Sequence, residues 1–157
     1  MPPDLQATPR AVAAYARRMR DRLLVLNAGS STLKASVLAR GSEDAVASVT
    51  VPMRGTGDAA DALHRTLQSI VAAGIDVDSV GAVGHRVVHG GSLFTRTTVI
   101  DLAVLHRIRE LAGLAPLHNL VAAEGIAAAA VAVPGGREPP ACERGVHAAR
   151  AEEAGAS

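Results

Sequence analysis

Leu23-Leu24-Val25-Leu26 is a short unbroken apolar run, the pattern of a strand buried on both faces. Six small polar residues follow, Asn27-Ala28-Gly29-Ser30-Ser31-Thr32, and read as a turn. Leu33, Ala35 and Val37 then alternate with Lys34, Ser36 and Leu38, the period of a second strand. A turn at Gly41 to Asp44 leads to a third strand over Ala45 to Val51. The chain therefore opens with a meander on tight turns, not a βαβ unit. The period then changes. Ala59, Ala62, Leu63, Leu67, Ile70 and Val71 recur at helical spacing between Asp58 and Ala73, with Gly74 as the stop. Val80 to Val83 reads as a strand running into Gly84-His85-Arg86-Val87-Val88-His89-Gly90-Gly91. Asp101 is a suitable N-cap for a helix through Leu102, Leu105, Ile108 and Leu111. Leu114 to Asn119 breaks that helix, and a further helix is expected from Asn119 through Ile126.

The two ends differ in character. Residues 1–20 are rich in Pro, Ala and Arg. Ala11 to Asp21 reads as a short basic helix or a solvated tail, and Met19 is a candidate start site. Residues 127–157 contain no Leu, Ile, Met, Phe, Tyr or Trp, and hold three of the eight prolines. After Val133 the apolar side chains are too few to offset ordering entropy, so the segment is expected to be disordered, or loosely helical near Ala148 to Ala154.

Composition narrows the function classes. The chain has 157 residues, one domain by length, with 16 basic and 15 acidic side chains. That near-neutral balance argues against a nucleic-acid or polyanion binder. Tyr15 and Phe94 are the only aromatics, so the core must be built from Val, Leu, Ile and Ala. Cys142 is the only cysteine, which excludes an internal disulfide and a cysteine-based zinc site. No apolar run approaches the roughly 18 residues of a membrane helix. The N-terminus lacks the continuous apolar stretch of a secretory signal, so a cytoplasmic protein with no membrane partner is expected.

Three segments carry candidate chemistry. In Asn27 to Lys34, Gly29 allows a tight turn and close backbone approach, Ser30, Ser31 and Thr32 offer hydroxyls, and turn amides can converge on an anion. Asn27 presents a neutral oxygen for a metal-bound water or a phosphate, and Lys34, the only lysine, a compact charge. It is not a Walker A loop, because the spacing differs and no helix follows. An ordinary Gly- and Ser-rich hairpin turn is the alternative. In Gly84 to Gly91, strand alternation puts Arg86 and Val88 on one face, and His85, Val87 and His89 on the other. Arg86 can grip a carboxylate or phosphate bidentately beside an apolar neighbour, a fit for a small acid with a short alkyl group. A His85-x-x-x-His89 metal pair lacks a nearby acidic partner, and a surface Arg with structural histidines is the plain reading. In Leu114 to Asn119, His118 follows a proline-fixed turn where it can donate to an oxyanion, and Asn119 can cap the next helix.

Taken in order, Asn-Ala-Gly-Ser-Ser-Thr-Leu-Lys, Gly-His-Arg-Val-Val-His-Gly-Gly and Leu-Ala-Pro-Leu-His-Asn closely resemble the acetate kinase family over Leu23 to about Ile126. The resemblance implies an α/β fold like the N-terminal domain of the actin, heat-shock and sugar-kinase ATPases (ribonuclease H-like), here incomplete. It implies transfer of the γ-phosphoryl of ATP to acetate with magnesium, in an enzyme that is a homodimer when intact. By the same resemblance, Asn27 helps place magnesium. Gly29, Ser30, Thr32 and Lys34 belong to the phosphate loop. Arg86 holds the substrate carboxylate or the transferring group, Val88 and Leu117 line the methyl pocket, and His118 is catalytic.

The chain also departs from the family pattern. Leu120 and Ala122 stand where the family has Pro and Asn. The family's next strand, ending in an Asp-Thr-Ala-Phe-His type motif, is expected after Ala132-Val133, where this chain has Pro134-Gly135-Gly136-Arg137. The break resembles a shift of reading frame. The expected organisation is an N-terminal extension over 1–22, an incomplete acetate kinase-like domain over 23–133, and a foreign tail over 134–157. Three readings stand: a kinase, a non-catalytic remnant, and a half-domain that pairs with another chain. Uncovered sheet edges and apolar faces would make the chain poorly soluble.

Overall fold

The computed structural model describes residues 22–87, 92–94, 98–113, 116–133 and 146–150, the last of these in backbone only. The expected basic helix at Ala11 to Asp21 and the start at Met19 lie outside the described residues, as do Val88 to Gly91 and Leu114-Ala115.

Strands β1 (Arg22–Ala28), β2 (Thr32–Ala39) and β3 (Ala45–Pro52) form the expected meander. Both pairings are antiparallel, with Asn27 opposite Lys34 and Leu33 opposite Val51. β4 (Val80–Val87) lies parallel to the other side of β1, and β5 (Thr98–Ile100) is short. Three helices follow the predicted apolar periods: α1 (Ala59–Ala72), α2 (Leu102–Glu110) and α3 (Pro116–Ala132). Among the described residues, no helix is long and apolar enough to cross a membrane.

Helix ends obey local chemistry. α1 stops at Gly74, whose φ of 82° is the left-handed region glycine favours. The Gly74 amide donates to the Val71 carbonyl at 2.9 Å, and the Ile75 amide to Ile70 at 3.2 Å, closing the helix end. α2 starts where Asp101 accepts from the Val104 amide at 2.7 Å.

Two expectations are corrected. α3 begins at Pro116 and runs to Ala132, longer at both ends than Asn119 to Ile126. Proline suits the first helical position, and Ala127 to Ala130 are the strongest helix formers, so propensity carries the helix past the point where large apolar residues cease. Val133 is consequently buried at the helix end, its amide donating to Ala129 at 3.2 Å, and does not open a strand. The second correction is in the tail. Val146–Arg150 forms β6, neither disordered nor loosely helical, while 151–154 lie outside the described residues. β6 sits between β4, to which it is parallel, and β5, to which it is antiparallel. Backbone pairing on both sides holds it, and a reading based on side-chain burial alone is blind to that contribution.

The sheet order is β3-β2-β1-β4-β6-β5. An antiparallel meander followed by parallel strands, with helices between, is the α/β arrangement the resemblance implies. Leu24, Leu26, Ala28, Leu33, Ala35 and Val37 are buried on one face against α1 and α3. Val87 joins a second cluster with Phe94, Ile100, Ile108 and Ile126 beneath α2 and α3. The described helices therefore cover one face of β1, β2 and β4.

Candidate functional site

The face away from the helices carries the polar residues. Alternation along β1 and β2 turns Asn27 and Lys34 to it as directly opposed partners. The parallel ladder with β4 ends at Leu26 opposite His85, and Asn27 and Arg86 follow that last pair on the open face. Lys34 and Arg86 are exposed and Asn27 is half-buried. The Ser36 and Ser48 hydroxyls are 3.1 Å apart further along β2 and β3. None of the strands β1 to β5 contains Asp or Glu. Two cations with no carboxylate among them make this surface attractive to anions.

The turn from β1 to β2 stands beside these residues. The Gly29 amide donates to the Thr32 carbonyl at 2.8 Å, and the Met53 amide ties Ser31 to the end of β3 at 2.8 Å. The first of these bonds commits the Gly29 N–H within the turn. Gly29 is not left-handed, and a Cβ there would be 3.4 Å from the Thr32 oxygen, an ordinary contact. The turn geometry itself does not require glycine. Ser30 and Ser31 are exposed and Thr32 half-buried.

The remaining candidates lie elsewhere. Leu117 and His118 stand on the first turn of α3, in the helix layer, with Leu117 68% exposed. Asn27, Lys34 and Arg86 stand on the opposite face of the sheet. Asn119 is fully buried inside α3, three residues past its start, so it does not cap the helix. Val88 and His89 lie outside the described residues.

A resident magnesium ion does not fit the described residues. The ion takes carboxylates, phosphate oxygens and water. Asn27 brings one neutral oxygen, its neighbours bring hydroxyls, and no group of three His, Cys, Asp or Glu able to hold a metal occurs among the described residues.

One residue beside the site escaped functional assignment from sequence. His85 points away from Arg86 into the interior and is 2% exposed. Neither ring nitrogen has a hydrogen-bond partner among the described residues. Burial pushes its pKa from 6.5 down to about 3, so the ring is neutral at pH 7. Its Cε1 lies against α3, where a Cβ added to Gly125 would be 3.2 Å away. Gly125 gave no sequence signal, being one small residue in a helix of small residues.

The Acetokinase family model matches residues 22–154, extending beyond Ile126 through β6. The acetate kinase of Sulfurovum sp. (strain NBC37-1) is 38% identical over 130 residues, which is 67% of this chain and 32% of that protein. The propionate kinase of Klebsiella pneumoniae (strain 342) is 37% identical over 123 residues, 68% of this chain and 31% of that protein. The crystal structure of Porphyromonas gingivalis acetate kinase superposes with a TM-score of 0.66 at 25% identity, covering 83% of this chain and 37% of that one. The chain thus spans about a third of the length of the curated relatives it matches. A match across 22–154, joined to the shared fold, establishes that this chain belongs to the acetokinase family.

Proposed function

We propose that this chain supplies the anion-binding wall of an acetate kinase-type active site, in which the γ-phosphoryl of ATP is transferred to a small carboxylate such as acetate. The observation that carries the reading is the row Lys34, Asn27 and Arg86 on one carboxylate-free face, next to the Gly29–Thr32 turn. Phosphoryl transfer is catalysed mostly by positioning and by stabilising negative charge spread over oxygens. In this proposal Arg86 grips the carboxylate or phosphoryl oxygens bidentately. Lys34 and the hydroxyls of Ser30 and Thr32 hold phosphate, and Asn27 would orient phosphate, or water on a magnesium ion brought by the nucleotide. His118 and Leu117, which stand in the helix layer, do not belong to this wall; a role for them at the transferring group and the substrate methyl group, with Val88, would need a second wall. In the cytoplasmic, homodimeric enzyme this reading envisages, a second wall completes the site.

One face cannot hold the attacking and leaving oxygens in line from both sides. The chain alone is therefore expected to bind acetyl phosphate without turnover. Isothermal titration with acetyl phosphate and hydroxylamine trapping of product test the two halves separately. Arg86→Ala should weaken binding about tenfold or more, the value of a charge-assisted bidentate pair. Equal binding by the wild-type chain and Arg86→Ala would refute the anion wall, and robust turnover would refute its insufficiency. Leu102, Leu117 and Val131, which are 86%, 68% and 85% exposed, favour a second reading in which the same half-fold pairs with another polypeptide.

A further inference from the structure

We propose that the contact between His85 and Gly125 is an acid-release joint, at which protonation of His85 detaches α3 from the sheet while the β1–β2–β3 meander stays folded. The inference does not depend on the kinase reading, since it concerns the covered face of the sheet.

The geometry places one ionisable ring at the seam between two layers. His85 projects from β4 toward the middle of α3, where a Cβ at Gly125 would approach Cε1 to 3.2 Å, Ala28 Cβ to 3.6 Å and Nδ1 to 3.9 Å. Neither nitrogen has a hydrogen-bond partner among the described residues. A proton added there creates a buried cation with no acceptor among the described residues, which must reach water or be lost.

Among the described residues, no group on the surrounding elements pairs with that charge. On β1 the neighbours on the buried face are Leu24, Leu26 and Ala28. On β4 they are Val83 and Val87, while Arg86 lies on the opposite face. On β6 the backbone of Ala148 runs alongside. α3 contributes His118, exposed two turns earlier, and Glu124, the residue before Gly125. Oε2 of Glu124 is buried with no hydrogen-bond partner among the described residues, so it does not pair with the ring. Desolvation is accordingly the cause of the depressed pKa.

The direction of opening follows from the strand pairing. β2 is hydrogen-bonded on both sides, to β1 and to β3. α3 holds to the sheet by side chains alone, Val121 and Ala129 in the cluster shared with β1, β2, β3 and α1, and Ala122, Ala123 and Ile126 in the cluster shared with α2. Lifting α3 hydrates the ring and uncovers part of the first cluster, but breaks neither meander ladder.

Hydrogen exchange on the full chain, corrected for intrinsic rates, tests this between about pH 7 and about pH 5. Peptides from 116–132 should lose protection about tenfold per pH unit below His85's ordinary pKa, while peptides from 22–52 keep theirs. His85→Gln and His85→Phe should abolish the loss in 116–132. Should neither variant fold, the wild-type comparison of the two segments still decides. Simultaneous loss in both segments, protection of 116–132 that is independent of pH, or an unchanged loss in either variant would overturn the proposal.

Discussion

Gly125 offers a quantitative test of how closely α3 is seated on the sheet. Gly125→Leu adds a Cβ 3.2 Å from His85 Cε1 and 3.6 Å from Ala28 Cβ, with three more carbons beyond it. His85 and Ala28 are 2% and 3% exposed, so neither can retreat into solvent. Overpacking a filled site costs about 1–3 kcal/mol, and a full isobutyl group belongs at the upper end. Leaving glycine in a helix interior returns about 1 kcal/mol of propensity. The net expected loss is about 2 kcal/mol. With a urea m-value of about 2 kcal/mol/M, the unfolding midpoint falls by about 1 M. Gly125→Ala is the internal control: its propensity gain and its tight contact are of similar size, so its midpoint should stay within about 0.5 M of wild type. The decisive measurement is the double-mutant cycle. His85→Ala alone leaves a cavity, but in the Gly125→Leu background that space receives the leucine. The two changes should couple by about 2 kcal/mol in the compensating direction. Additivity within about 0.5 kcal/mol would mean that the two residues do not meet, and the placement of α3 over β4 would be wrong.

Three further outcomes follow from individual groups. Stability should fall with acid: the unfolded His85 titrates near 6.5 and the folded one near 3, so the unfolded state binds more protons in between, and the stability present above pH 6.5 is lost as the pH drops. At about pH 4.5 the loss from this ring is on the order of 3 kcal/mol, and urea melts of wild type and His85→Gln should diverge progressively across that window. Asp101→Ala removes the cap on the Val104 amide and should cost about 1 kcal/mol in the same assay, whereas Asp101→Asn should recover most of it. Asp58 accepts from the Arg54 amide at 2.9 Å and from Arg65 Nη2 at 3.1 Å, with its side chain only 16% exposed. Asp58→Ala should therefore destabilise by about 1–2 kcal/mol, and thermal melts showing no change would assign that pair to the weak surface class.

The legible part of this fold is the part set by short-range periodicity. Alternation at Leu33, Ala35 and Val37 fixed which side of β2 would be covered, and hence that Lys34 would face away from the helices. The same logic put Arg86 and His85 on opposite faces of β4. What brings Lys34 and Arg86 to one surface is β1, which pairs antiparallel with one strand and parallel with the other. That register is nonlocal, and no spacing in the sequence encodes it. The three motifs list residues without saying how the chain joins them.

The two corrections share a physical origin. Both α3 beyond Ile126 and β6 are built from residues with little side chain to bury, so any reading weighted by apolar area ends the fold too early. Backbone hydrogen bonding does not depend on that area. Ala127 to Ala132 continue a helix already nucleated by Val121 to Ile126, which adds bonds at small entropic cost per residue. Val146–Arg150 enters a slot with a strand on either side, where its amides and carbonyls find partners in two directions. An isolated segment of that composition would not order itself. The same reasoning explains why Gly125 was invisible: its significance is the absence of a side chain at one point of a helix–sheet contact, a property of His85 and Ala28 as much as of the glycine itself.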